Sequence, residues 1–190
     1  NRVNTVTIQP DGKILIGGLF NTVNGQTVSK IIRLNADGTN DTSFNPIFGT
    51  VSSINAIFVQ SDGKIMIGGS FVGVGGFNRN NLARFNPNGS YDSSFNAGSI
   101  GSIDQIYQLP NGPYFVTSSS PKVLKLNSDG TNDDNYDSVE IDNSNSSSLK
   151  IKFKVLPNES VVVVGNFDLV DHQPRRGIVR LYPNGSLDSL

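Results

Sequence analysis

The chain has 190 residues, enough to bury a substantial core, with 36% hydrophobic and 16% charged residues and a formal net charge of -1. A balance this near neutrality supplies no global field to recruit nucleic acid or an acidic membrane, no apolar run reaches membrane-spanning length, and the absence of cysteine excludes disulfides and thiolate metal sites. Asn, Ser, Thr and Gly carry most of the polarity, which points to an all-β chain rich in tight turns.

The first predicted strand is VNTVTIQ, residues 3–9, closed by a Pro-Asp-Gly turn in which Asp-Gly accepts the positive φ of a short hairpin. The second, ILIGG at 14–18, is apolar on both faces, the pattern of a strand covered from both sides. Its Gly17-Gly18 end predicts a bulge or a close backbone approach. The third, KIIRLN at 30–35, ends in an ADGT turn, and a short fourth strand is expected around Phe44. The order then begins again. QPDGKILIGGLF at 9–20 returns as QSDGKIMIGGSF at 60–71, an offset of 51 residues (Asp62 against Asp11) that also carries Arg33 onto Arg84, Gly38 onto Gly89 and DTSFN at 41–45 onto DSSFN at 92–96. A third copy is anchored by LPNG at 109–112, whose Asn111 stands where Asp11 stood, and by KLNSDGTNDD at 125–134. It has Thr117 and Ser118 in place of the glycines and a shortened loop after the second strand. A fourth is anchored by LPNESVVVVGNF at 156–167 and RLYPNGSLDS at 180–189, with Leu190 near the place of the fourth-strand Phe. Its first strand, LKIKFKV at 149–155, sets Leu149, Ile151, Phe153 and Val155 on one face and Lys150, Lys152 and Lys154 on the other.

A unit of about 50 residues repeated four times means stacked supersecondary units rather than one conventional core. Four short antiparallel strands per unit, arranged radially, make a β-propeller blade. The expected fold is therefore an all-β propeller of four blades (about 1–50, 51–100, 101–143 and 144–190) in one domain over 1–190. It is either a closed ring or part of a larger propeller. The string V-x-x-I-x-x-Q-x-DGKI-x-I-GG-x-F, followed by RLN-x-DG and D-x-SFN, resembles the delta-60 repeat family. That resemblance implies a propeller scaffold in bacterial surface or secreted proteins and phage structural proteins, and it implies no defined activity.

Residues present in every copy read as frame, because a catalytic site is normally assembled once. Each copy places a cation on its third strand and a carboxylate eight residues later: Arg33 and Asp41, Arg84 and Asp92, Lys125 and Asp133, Arg180 and Asp188. These are expected to meet as structural ion pairs across the hairpin, the planar arginine fork suiting a carboxylate. Asn35, Asp37 and Asp41 resemble part of a calcium loop. Copy 2 has Asn88 for Asp37, copy 4 has Tyr182 for Asn35, and no downstream bidentate Glu follows, so a hairpin turn is preferred and no metal or other cofactor is expected.

What breaks the repeat is the functional candidate. The loop of copy 4 carries Asp168, Asp171, His172, Arg175 and Arg176, a set suited to a carboxylate, a phosphate or an acidic sugar, or to local ion pairs in solvent. Residues 129–142 hold Asp129, Asp133, Asp134, Asp137, Glu140 and Asp142, read as a solvated acidic face, and residues 143–148 as a flexible connector. No nucleophile elbow, phosphate loop or zinc-protease motif is present. The expectation is a non-catalytic scaffold or recognition module of a larger extracellular, cell-surface or virion protein. Its partners would be protein neighbours and cell-surface glycan, without nucleic acid or membrane insertion. The alternatives are a glycan-active propeller enzyme and a structural spacer.

Overall fold

The computed structural model describes residues 2–110, 112–144 and 149–189. Asn1, Asn111, residues 145–148 of the expected connector and Leu190 lie outside the described residues. The first unit runs β1 (Val3–Ile8), β2 (Ile14–Gly18), β3 (Thr22–Val23), β4 (Gln26–Thr27) and β5 (Ile31–Leu34). Its antiparallel sheet has the order β1-β2-β5, and β3–β4 is a small hairpin inserted between β2 and β5. The second unit is the sheet β6 (Phe48–Val59), β7 (Ile65–Val74) and β8 (Phe77–Phe85), with the small hairpin continuous with the long strands. The third is β9 (Ile103–Gln108), β10 (Tyr114–Ser118) and β11 (Val123–Leu126). After β12 (Ile141–Asp142), the fourth comprises β13 (Ile151–Val155), β14 (Val161–Gly165), β15 (Leu169–Val170), β16 (Gln173–Pro174) and β17 (Ile178–Leu181), with sheet order β13-β14-β17.

The expected fourth strand does not form. After each third strand the chain makes a single bridge, Leu34 to Asn40, Phe85 to Tyr91, Leu126 to Asn132 and Leu181 to Leu187, and then turns. The cause is the aspartate one residue later. Asp41 accepts from the Ser43 amide at 3.0 Å and the Ser43 hydroxyl at 2.6 Å, and Asp92 does the same with Ser94. Local side-chain bonds of this kind compete with a strand ladder. The turn instead drives Phe44, Phe95 and Tyr136 into the interior. Each unit is therefore a three-stranded sheet with an aspartate-anchored turn along its edge.

Consecutive units are neighbours in space: β6 packs on β1 and β2, β9 on β6 and β7, and β13 on β9 and β10. The core lies between units rather than inside them. One cluster joins Leu15, Ile31 and Phe44 of the first unit to Ile54, Ile57 and Ile65 of the second. Another joins Met66, Leu82 and Phe95 to Ile103 and Tyr114, and a third joins Phe115, Val123 and Tyr136 to Ile151, Phe153 and Val163. At about 1.5–3 kcal/mol for each large apolar side chain removed from water, these shared layers are what hold the stack together. They explain why β7 and β10 are apolar on both faces, since each has a unit on either side. Gly17 of β2 and Gly68 of β7 belong to the same packing. A Cβ at Gly17 would lie 2.5 Å from Ile54 Cγ2, and one at Gly68 would lie 2.6 Å from Ile103 Cγ2.

Candidate functional site

The first strands of all four units border one cavity of about 540 Å³, lined by Arg2, Asn4, Asn55, Asp104, Lys150 and Lys152 together with Val3, Leu19, Ser53 and Ile151. Three of the polar side chains come from a repeated irregularity. The register of β1 against β2 jumps between Val3 and Thr5, that of β6 against β7 between Ile54 and Ala56, and that of β9 against β10 between Ile103 and Gln105. In each case one residue is extra: Asn4, Asn55 or Asp104. Such a bulge re-aims the extra side chain. In the first two units the strand opposite also approaches closely: a Cβ at Gly18 would fall 2.1 Å from the Arg2 carbonyl oxygen and one at Gly69 would fall 2.2 Å from that of Ser53.

The bulged side chains form a ladder along the cavity wall. Arg2 Nε donates to Asn4 Oδ1 at 2.8 Å, Asn4 Nδ2 donates to Asn55 Oδ1 at 3.0 Å and to the Ile54 carbonyl at 3.1 Å, and Asn55 Nδ2 donates to Asp104 Oδ1 at 2.9 Å. The fourth unit departs from this pattern. Ile151 and Lys152 pair with Gly165 and Val164 without a bulge, so the wall there is built from Lys150 and Lys152. The link from third to fourth unit passes instead through Gln105, whose amide donates to the Phe153 carbonyl at 2.8 Å and accepts from the Phe153 amide at 3.1 Å. Arg2, Lys150 and Lys152 against Asp104 make the cavity cationic, and the second N–H of the Asn55 amide is left for an acceptor oxygen.

The frame pairs come together in every unit. Arg33 Nε donates to Asp41 Oδ2 and Arg84 Nε to Asp92 Oδ2, both at 2.7 Å, and Lys125 stands 3.6 Å from Asp133 and 3.3 Å from Glu159. Arg180 is bonded to Asp188. Lys13 and Lys64 add a second cation to Asp41 and Asp92 at 2.6 and 2.9 Å. Two of the arginines also lie over the turn phenylalanine, Arg33 at 4.7 Å from the Phe44 ring centroid and Arg84 at 5.0 Å from that of Phe95.

Burial alone would push the Asp41 and Asp92 carboxyls up. The hydrogen bonds from Lys13, Ser43 and Arg33 to the first, and from Ser94, Lys64 and Arg84 to the second, more than reverse this and hold both well below the ordinary carboxylate value of 3.8. A carboxyl lowered in the folded state contributes stability that is present above its unfolded value and lost as pH falls through its folded one. Urea midpoints should therefore be flat from neutrality to about pH 5 and fall steeply below about pH 4. Asp92→Asn should be less stable at neutral pH and show a shallower acid slope, and an unchanged slope would remove these aspartates from the account.

The loop residues of the fourth unit occupy a hairpin turn. Asp171 and His172 have φ of 46° and 60° between β15 and β16, the position held by Asn24 and Gly25 between β3 and β4 and by Gly75 and Gly76 between β7 and β8. Positive φ at both central residues is the geometry of a two-residue hairpin turn. Asp171 accepts from the Glu140 amide at 2.8 Å and Asp168 from the Ser144 amide at 2.8 Å, pinning the hairpin to the incoming segment that carries β12. His172 is exposed with Nε2 3.9 Å from Glu140, Arg175 donates to the Pro174 carbonyl at 2.9 Å, and Arg176 is exposed. None of the five lines the inner cavity. In the acidic stretch Asp129 caps its own turn by accepting from the Thr131 amide and hydroxyl, as Asp37 does with Thr39. Among the described residues no group of three or more His, Asp or Glu is gathered as metal ligands would be.

Four stacked β-sheet units around a shared polar cavity, with cores between them, place the chain among repeat-built all-β proteins. The model of the beta-propeller domain of unknown function DUF5122 matches residues 9–44, 60–95 and 156–190, and the chain belongs to this family. The third unit, where Thr117 and Ser118 replace the glycines, falls outside the matched segments. A crystal structure of a protein of unknown function from Bacteroides caccae is similar to the chain at a TM-score of 0.50 and 14% identity, over 97% of this chain and 65% of that one. The chain thus spans just under two thirds of the length of that protein, and the likeness is one of fold. No curated protein matches the sequence.

Proposed function

We propose that the chain is a four-bladed recognition module of the delta-60 repeat kind it resembles, serving a larger surface or virion assembly without catalysing a reaction, and that its inner cavity binds an acidic glycan. The observation that carries this reading is the placement of Arg2, Lys150 and Lys152 around the ladder of Asn4, Asn55 and Asp104. The frame cations meet their own carboxylates at the outer turns, while this group faces a common space. Cations beside an amide donor suit a sugar carboxylate or sulfate flanked by hydroxyls. Asp104 is the one carboxylate among the residues lining the cavity, whereas glycoside hydrolysis ordinarily uses two. Binding without turnover is therefore the favoured chemistry.

The test is a glycan array followed by titration calorimetry. Acidic glycans should bind and their neutral counterparts should not, and binding should weaken with salt. Combined Lys150→Glu and Lys152→Glu substitution should lower affinity at least about 10-fold, the equivalent of about 1.4 kcal/mol. Equal binding of neutral and acidic glycans, or no loss in the double variant, would refute the assignment of this cavity.

A further inference from the structure

The outer edge of the sheet is filled in the second unit and open in the first. In the second unit β8 ends the sheet, and Ser99 of the segment that follows bridges Asn80 in parallel, while Asn81 Nδ2 donates to the Ile100 carbonyl at 2.7 Å. Beside this bridge the Tyr91 hydroxyl donates to the Phe95 carbonyl at 3.0 Å and accepts from Arg79 Nε at 2.7 Å. A short stretch of main chain, a phenol and a guanidinium therefore close the space between the strand and the turn.

Three changes open the same place in the first unit. Asn40 stands for Tyr91, and its side chain turns to the hairpin, donating to Gln26 Oε1 at 2.7 Å and accepting from Asn24 Nδ2 at 3.0 Å. Val28 stands for Arg79 and has no side-chain donor. Phe48 and Gly49 stand for Ser99 and Ile100, but the chain there is drawn into β6, where Phe48 pairs with Val74 and Thr50 with Val72. What remains is a cleft of about 280 Å³ bordered by Ser29, Ile31, Asn40 and Phe44. On this side β5 makes the single bridge from Leu34 to Asn40 and has no strand partner among the described residues. The opening is thus set by the path of β6, which lies within the chain.

We propose that this cleft binds an extended, uncharged peptide segment of a protein partner, which adds in parallel beside Ser29 as Ser99 adds beside Asn80. Strand addition at a sheet edge draws its affinity from main-chain hydrogen bonds and its specificity from side-chain pockets. The occupant follows from the second unit, whose own filling segment is Ala97-Gly98-Ser99-Ile100, small residues and then an aliphatic one. The walls of the cleft agree with it. The hydroxyls of Thr27, Ser29 and Thr42 suit peptide groups, and Ile31 and Phe44 suit the aliphatic side chain. Asp41 is the one ionised side chain lining the cleft, and it is already held by Lys13, Arg33 and Ser43. No carboxylate is left for a cationic partner, and no cation lines the cleft for an anionic one.

Titration of the isotopically labelled chain with the peptide Asn-Ala-Gly-Ser-Ile-Gly, the sequence of residues 96–101, tests this by nuclear magnetic resonance. The amide signals of residues 26–31 and 40–45 should shift, and those of the inner cavity should not. The same peptide methylated at its Ser and Ile nitrogens loses the main-chain donors of a parallel bridge and should bind at least about 10-fold more weakly. Asn40→Tyr with Val28→Arg carries the second unit's filling into the first. This variant should lose binding by at least about 10-fold, with circular dichroism and the urea midpoint unchanged. Lys150→Glu with Lys152→Glu, which removes the cations of the inner cavity, should leave peptide binding as it was, so the two sites are tested separately. No shift in the cleft, equal binding of the methylated peptide, or undiminished binding by the Asn40→Tyr, Val28→Arg variant would overturn the proposal.

Discussion

Arg84→Met will lower the unfolding free energy by about 3–5 kcal/mol, the range for breaking a buried ion pair by removing one partner. Arg84 is buried and joins five groups: Asp92 at 2.7 Å, Ser94 Oγ at 3.0 Å, the Ser128 carbonyl at 2.9 Å, the Tyr114 hydroxyl at 3.4 Å and the Phe95 ring. Asp92, Ser94 and Phe95 belong to its own turn, and the Ser128 carbonyl and Tyr114 hydroxyl tie the second unit to the third. Lys64, 2.9 Å from Asp92, keeps that carboxylate from complete isolation and sets the expected loss toward the lower end. Arg84→Lys should cost about 1–2 kcal/mol, because the charge survives while the fork that spans several acceptors does not. The third unit shows the consequence of a lysine at this place, where Lys125 sits 3.6 Å from Asp133 and leans toward Glu159. Chemical denaturation of both variants decides the matter. Equal losses for Met and Lys, or a loss below about 1 kcal/mol for Met, would show that the pair does not join the units.

Phe115→Ala will cost about 3–5 kcal/mol, the cost of emptying a buried aromatic site. Phe115 is fully buried, with its ring 5.7 Å from that of Tyr136 and 6.5 Å from that of Phe153 and with Lys125 Nζ 5.7 Å from its centroid. It is therefore the centre of the layer between the third and fourth units. In a stack stabilised by nearest-neighbour contacts, the loss should be local. Hydrogen exchange should show β13 and β14 losing protection well before β1 and β2, and the unfolding transition should broaden or split. Uniform loss of protection across all four units would mean that the stack unfolds as one cooperative block.

Much of this organisation was legible in the residues. The run at 14–18 is β2 with the same ends, and the double glycine there is both a bulge partner and a site of close approach, as its position implied. The eight-residue spacing of Arg33 and Asp41 is a hairpin distance, and the two groups do meet. Other features lay beyond the pattern. The fourth strand read around Phe44 is a turn, because Asp41 bonds the Ser43 amide in competition with a ladder. The fourth-unit loop looked divergent by composition, yet Asp171-His172 takes the same backbone path as Asn24-Gly25. A turn is defined by φ and ψ, which different side chains can share. Asn4 and Asn55 recur at the offset of 51, but the bulge that turns them toward the cavity depends on cross-strand register.

By itself, then, the sequence determined that this protein is all-β, that it repeats, and which residues recur as frame, because turn chemistry and apolar runs are local properties carried by neighbouring residues. Only the tertiary structure decided that the cores lie between units, that Arg2, Lys150 and Lys152 share a cavity with Asp104, and that the edge of β5 is open where that of β8 is filled. These depend on which unit stands beside which, and equivalent residues in a repeat acquire different environments only through their neighbours.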